Sequence, residues 1–288
     1  MPRAATVLRL GALALLVVFL VRPQSFAPLF APLTQYGAPP IYDQGNLLQL
    51  ALAQLGTVCL AAAASTLVAV ALGILVTRPS GAQFLPLSRT LVNIGQTFPP
   101  VAVLAVAVPL VGFGEKPTLI ALFAYGLLPI FENTLVGIRT CPPAVLEAAS
   151  GMGMSARQRL LSVELPLAMP LILEGIRLSL VINVGTATIG STVAAKGLGE
   201  VIIAGLLSSN TAFILQGGLV TGLMAILLYD GMVALERRLL RPVALDCDPD
   251  PCAATRASVL FPAAGTTLKG LNYPQEVVPS RHDGEWSF

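Results

Sequence analysis

Charge is what this sequence has least of. Only 11% of its 288 residues are Asp, Glu, Lys or Arg, while 55% are hydrophobic. A typical soluble domain is about 25% charged. So few charges cannot cover a water-facing surface at this length, and lipid must serve as solvent for much of the chain. Histidine and tryptophan occur once each, as His282 and Trp286. Four cysteines, Cys59, Cys141, Cys247 and Cys252, include no C-x2-C pair. A metal site is therefore not expected, and unpaired thiols in a reducing compartment are. The net charge of +2 offers no basic surface for nucleic acid. No G-x4-G-K-[ST] phosphate loop is present, so ATP hydrolysis by this chain alone is not expected. "GMGMSA" at 151–156 imitates a dinucleotide fingerprint but follows no strand. No nucleophile–base set lies in the apolar segments, which argues against an intramembrane enzyme.

What is present is long apolar runs. A membrane-crossing helix needs about 20 mostly apolar residues. Segments near Leu8–Val21, Ala51–Val76, Leu91–Val111, Thr118–Val136, Leu165–Val193 and Ala212–Leu235 fit, which makes the fold class all-α with about six transmembrane helices. The first run, preceded by Arg3 and Arg9, also resembles a signal peptide, but no A-x-A site follows promptly, and an uncleaved anchor is preferred. Residues 1–47 then form an anchor and an extracytoplasmic loop, 48–240 the core, and 241–288 a Pro-, Gly- and Asp-rich tail expected to be disordered.

Basic residues in the loops set orientation. With the N-terminus inside, Arg3, Arg9, Arg78, Arg89, Arg139, Arg157, Arg159, Arg237, Arg238 and Arg241 fall on the inner side, against Arg22, Lys116 and Lys196 outside. Both termini are expected in the cytoplasm, and so is the loop "EAASGMGMSARQRLLSVELP" at 147–166. In that loop Pro142 and Pro143 suit a helix start. Ala148 and Ala149 leave a slim helix surface, Gly151 and Gly153 break the helix, and Ser155 with Gln158 has capping-box spacing. Helix, turn and helix outside the bilayer read either as a solvated connector or as a rigid docking element.

The loop resembles the EAA loop of the permease subunits of bacterial binding-protein-dependent ABC importers. The matching residues are Glu147, Ala148, Ala149, Gly153, Val163, Leu165 and Pro166, with valine where isoleucine is commoner. The resemblance implies a type I importer permease fold. It makes the loop a coupling helix seated on an ATPase subunit, with Glu147 as the polar anchor, Ala148 and Ala149 allowing close approach, Gly153 turning the chain, and Leu165-Pro166 re-entering the membrane. ATP and magnesium would belong to that partner, and no cofactor to this chain. The further partners implied are an extracytoplasmic solute-binding protein and a second permease, the same or a related one. The localisation implied is the bacterial cytoplasmic membrane.

Beyond the loop, "GQTFPPVAVLAVAVPLVGFG" at 95–114 and "GIRLSLVINVGTATIG" at 175–190 are similar to permeases of osmoprotectant importers, which carry glycine betaine, choline, carnitine or proline betaine. Cargo of that class is implied, with another small solute as the alternative. The only tryptophan is in the tail, so an aromatic cage for a quaternary ammonium is expected on the binding protein.

Within the spans, Gln96, Thr97, Pro99 and Pro100 must kink a helix or start one afresh. They read as a gate or, equally, as a helix start at Pro99 capped by Thr97. Ser179, Asn183, Thr186 and Gly190 form one helical stripe. Packing is favoured for Ser179 and Gly190, and the translocation path for Asn183 and Thr186. Glu174 and Arg177 are expected to pair. Glu132 is expected at the interface, or paired with an arginine of the loop. An ion-coupled carrier, with Glu132 and Glu174 as its acids, is the reading from a different class.

Overall fold

The computed structural model describes residues 2–34 and 37–240, with side chains from Arg9 to Arg238. The expected tail, with Arg241, Cys247, Cys252, His282 and Trp286, lies outside these residues, as does the side chain of Arg3.

Every described element is helical. In chain order they are α1 (Pro2–Val21), α2 (Ala27–Phe30), α3 (Leu47–Thr77), α4 (Leu85–Thr97), α5 (Pro100–Val111), α6 (Glu115–Arg139), α7 (Pro143–Gly151), α8 (Ala156–Arg159), α9 (Leu165–Gly190), α10 (Gly199–Leu207) and α11 (Thr211–Leu240). Short 3-10 turns flank α2 and precede α4 and α10, and a π-turn over Leu160–Glu164 joins α8 to α9.

Four helices are long and apolar enough to cross a membrane, and six spans result if each of two bent pairs counts as one. One pair bends by 108° after Val21 and the other by 97° between Thr97 and Pro100. The expected third span is thus two short helices. Each half, at 12 or 13 residues, is roughly 20 Å long and cannot alone cross about 30 Å of hydrocarbon. The cause is Pro99-Pro100: the first holds Phe98 extended, and neither can donate into a helical ladder.

The centre of the bundle is α6. It packs against α3, α4, α5 and α9, while α9 also meets α11. Lipid offers no hydrophobic drive between helices, so close backbone approach at small residues substitutes for it. Gly175 shows how close. A Cβ there would stand 2.7 Å from the Pro129 carbonyl oxygen and 2.9 Å from Asn133 Cβ on α6. One layer away, Gly126 of α6 faces Ser65 of α3 and Ser179 of α9, with both hydroxyl oxygens under 3 Å from where its Cβ would be. Side chains facing out are apolar, including Leu67, Val106, Leu110 and Leu219, as a lipid-facing or subunit-facing surface requires.

Ion pairs mark one end of the bundle. Arg9 meets Asp230 at 2.9 Å, and Arg78, Arg89 and Arg177 each meet a carboxylate from a different helix. The opposite end is tied by amides. Gln54 donates to the Val184 carbonyl at 3.1 Å and accepts from the Leu198 N–H at 2.8 Å. Gln216 donates to the Pro40 carbonyl and accepts from the Tyr42 N–H.

Candidate functional site: the loop between α6 and α9

The loop is built by local rules. Pro142 is extended and its carbonyl accepts the Val145 and Leu146 N–H groups, with Pro143 in the first helical position. α7 runs from Pro143 to Gly151 and closes in a Schellman motif. Gly153 N–H donates to the Ser150 carbonyl at 3.0 Å, and Met154 N–H to the Ala149 carbonyl at 3.2 Å. Gly153 takes φ +78°, a left-handed backbone that residues with a Cβ avoid. Gly151 stays inside the helix, so the turn belongs to Gly153 alone. The capping box then forms as its spacing predicts: Ser155 N–H donates to Gln158 Oε1 at 2.9 Å, and Gln158 N–H to Ser155 Oγ at 3.4 Å.

On α7 the residues divide by exposure. Ala149 is buried, while Val145, Glu147, Ala148 and Met152 are exposed. Val145, Ala148 and Met152 follow helical spacing of three and four, so they share one outward stripe with Glu147 beside it. An exposed apolar stripe with a carboxylate at its margin, on a helix held rigid at both ends, is suited to seat in a groove on another protein.

Behind α7 lies a cluster that the spacing arguments missed. Glu164, at the end of the π-turn, is 4% exposed. Both its oxygens are taken by guanidinium groups: Arg78, just past the end of α3, contacts both, and Arg159 of α8 donates to Oε1 at 3.0 Å. Arg159 reaches on to Ser150 Oγ of α7 at 3.1 Å. Cys141 packs against the Glu164 backbone, and its Sγ is 3.8 Å from that carbonyl oxygen. Burial pushes the Cys141 thiol above its ordinary range. The Glu164 carboxylate adds to this, and Arg78 opposes it. The signal for the cluster was an acid placed directly before Leu165-Pro166, but its main partner is 86 residues away.

The elbow between α4 and α5 is pinned to α6. Gln96 Nε2 donates to the Tyr125 carbonyl at 2.8 Å, and the Tyr125 hydroxyl donates to the Phe98 carbonyl. Thr97 does not cap the new helix. Its hydroxyl donates back to Ile94 at 3.0 Å, and the Pro99 carbonyl accepts from Ala102 and Val103. The capping reading is corrected for that reason: Thr97 belongs to the last turn of α4. Pro99 and Thr97 are exposed, and Gln96 half-buried.

The stripe on α9 splits. Ser179 and Gly190 lie on the packed face, where a Cβ at Gly190 would press against the Thr118 side chain. Asn183 is also fully enclosed within the chain, and neither amide atom has a polar partner among the described residues. Thr186 is half-buried and bonds back to the Ile182 carbonyl.

Glu174 meets Arg177 at 3.7 Å, but the tighter partner of Arg177 is Glu236 of α11 at 3.1 Å. The guanidinium also lies 4.8 Å from the centre of the Tyr229 ring. Glu132 pairs with Arg89 of α4 at 3.0 Å rather than with an arginine of the loop, because Arg89 projects from the bent helix toward α6. Both acids assigned to ion coupling are thus held by arginines. Among the described residues no cluster of His, Cys, Asp or Glu could hold a metal.

Residues 69–241 match the family model for the binding-protein-dependent transport system inner membrane component. The osmoprotectant import permease protein OsmY of Salmonella typhimurium is 41% identical over 176 residues, which are 61% of this chain and 74% of that one. The glycine betaine/carnitine/choline transport system permease protein OpuCB of Bacillus subtilis is 37% identical over 186 residues, 62% of this chain and 85% of the relative. Carnitine transport permease protein OpuCD of Listeria monocytogenes is 45% identical over 152 residues, covering 52% and 68% of the two chains. The fold matches that in inward-facing structures of the MetNI methionine ABC transporter, with TM-score 0.58 at 22% identity, covering 69% of this chain and 96% of the other. The chain is therefore a member of the binding-protein-dependent transport system inner membrane component family, the membrane-embedded permease of an ABC importer.

Proposed function

We propose that this permease carries a small osmoprotectant such as glycine betaine, choline or carnitine into the cell, and that the 147–166 loop couples that movement to ATPase subunits. The observation that carries the coupling is the outward stripe of α7, a rigid helix whose exposed apolar face has Glu147 at its margin. The cargo rests on relatives at 37–45% identity whose names state osmoprotectant, choline or carnitine transport.

On this reading the arginine-rich end of the bundle faces the cytoplasm, with both termini. ATP and magnesium sit in the partner ATPase, a solute-binding protein delivers cargo from the other side, and a second permease completes the path. Gln96, Thr97 and Pro99 at the elbow and Thr186 of α9 border that path. Asn183 joins it when the helices shift between access states. The cation is handed on without a tight aromatic cage, which suits release in each cycle.

The test replaces Glu147 with arginine in the permease expressed with its ATPase. Co-purification of the ATPase should fall at least tenfold, while the permease itself still folds. Unchanged association and uptake would remove α7 from the coupling role.

A further inference from the structure

We propose that Arg78, Glu164 and Arg159 form a transmission joint that carries the movement of α7 into α3. This rests on the coupling role given to α7 above.

The joint links α7, the start of α9 and the end of α3. Arg159 holds α7 through Ser150 Oγ at 3.1 Å and Glu164 through Oε1 at 3.0 Å. Glu164 passes the link to Arg78 at the end of α3. Apart from Ala149, α7 exposes most of its surface, and this polar chain ties it to the end of α3. The Glu164 side chain is 5% exposed, and those of Arg78 and Arg159 are 21% and 32% exposed. At that burial the pairing is directional and poorly screened.

Two further features fit a joint with more than one arrangement. Glu164 ends a π-turn, in which the Leu165 N–H reaches back to Leu160. Such single π-turns gather at functional sites, because one extra residue turns the following side chains out of helical register. Arg78 Nε is also buried without an acceptor. A buried donor left unpaired in one arrangement is available to a second, in which the guanidinium rotates against the carboxylate.

α3 can transmit what it receives. It is an unbroken helix of 31 residues. Twenty-four positions before Arg78, or roughly 36 Å along the axis, stands Gln54. That residue bonds the Val184 carbonyl of α9 and the Leu198 N–H just before α10. A shift at the joint therefore arrives at the α9–α10 connection on the opposite side of the bundle. A buried ion pair is weak support for stability in itself, and its best-attested use is to fix register or to switch.

The experiment uses the assembled importer in proteoliposomes and reads solute moved per ATP hydrolysed. Arg78→Met with Glu164→Met replaces the buried pair by apolar side chains of similar length, so folding is preserved. The expected result is normal ATPase co-purification with at least a tenfold drop in solute per ATP. Arg78→Lys, which keeps a charge for Glu164, should recover part of the loss. The joint is refuted if the double methionine variant stays within twofold of the parent. It is equally refuted if ATPase association falls along with transport. Failure of the coupling role itself reads differently: Glu147→Arg would then leave ATPase association intact whatever Arg78 does.

Discussion

Gly153 is held to glycine by its own backbone rather than by its neighbours. At φ +78° a side chain meets its own carbonyl at a cost of about 1–2 kcal/mol. Gly153→Val should lower the melting temperature of the purified permease and, by misaiming α7, reduce uptake by more than the loss of folded protein explains. Gly151→Ala, inside the helix, should be neutral or slightly stabilising, since alanine is the better helix former by about 1 kcal/mol. Asn183 makes the opposite case. Its amide is enclosed without a partner, and an orphaned buried polar group costs about 1–3 kcal/mol. Asn183→Leu should melt no lower than the parent, and uptake should nevertheless fall, because a conformer that uses the amide is the reason to keep it. Cys141 is buried with a raised thiol pKa, so less of it is thiolate at neutral pH. Alkylation at pH 7 should run slower than for a free cysteine, and should speed up as pH rises toward the thiol pKa.

At the scale of elements, the contact between α6 and α9 admits no side chain at Gly175, where backbone oxygen is the neighbour. Gly175→Val must push the helices apart. Folded protein recovered from membranes should drop several-fold, whereas Gly185→Val, with nothing near its Cβ position, should express normally. What could be read from sequence follows the range of the interaction. The capping box at Ser155 and Gln158 spans three residues, and local spacing suffices to find it. The break at Pro99-Pro100 was legible because proline acts on its own backbone. Its 97° angle was not, since Gln96 and Tyr125 set it across 29 residues. Arg78 and Glu164, Arg89 and Glu132, and Arg177 and Glu236 all pair across helices. Spacing along one helix found only the weaker contact from Glu174 to Arg177. The helix start at Pro99 was legible too, but its cap by Thr97 was not: Thr97 ends α4, and its hydroxyl bonds back to Ile94.

As a whole molecule, the permease is a bundle with two differently built ends. Arginine–carboxylate pairs gather at one, and glutamine clamps at the other. On the orientation proposed above, the arginine-rich end is the cytoplasmic one, following the general bias of basic residues toward that face. Glu132 and Glu174, the acids suited to ion coupling, stand 3.0 and 3.7 Å from an arginine, and α7 exposes an apolar stripe with Glu147 beside it. The most direct measurement is uptake of labelled glycine betaine into proteoliposomes holding the permease, its ATPase and its binding protein. Uptake should require hydrolysable ATP and the binding protein, and should be unaffected when ionophores collapse the ion gradients. Uptake that continues without ATP and stops with the ion gradient would contradict the account.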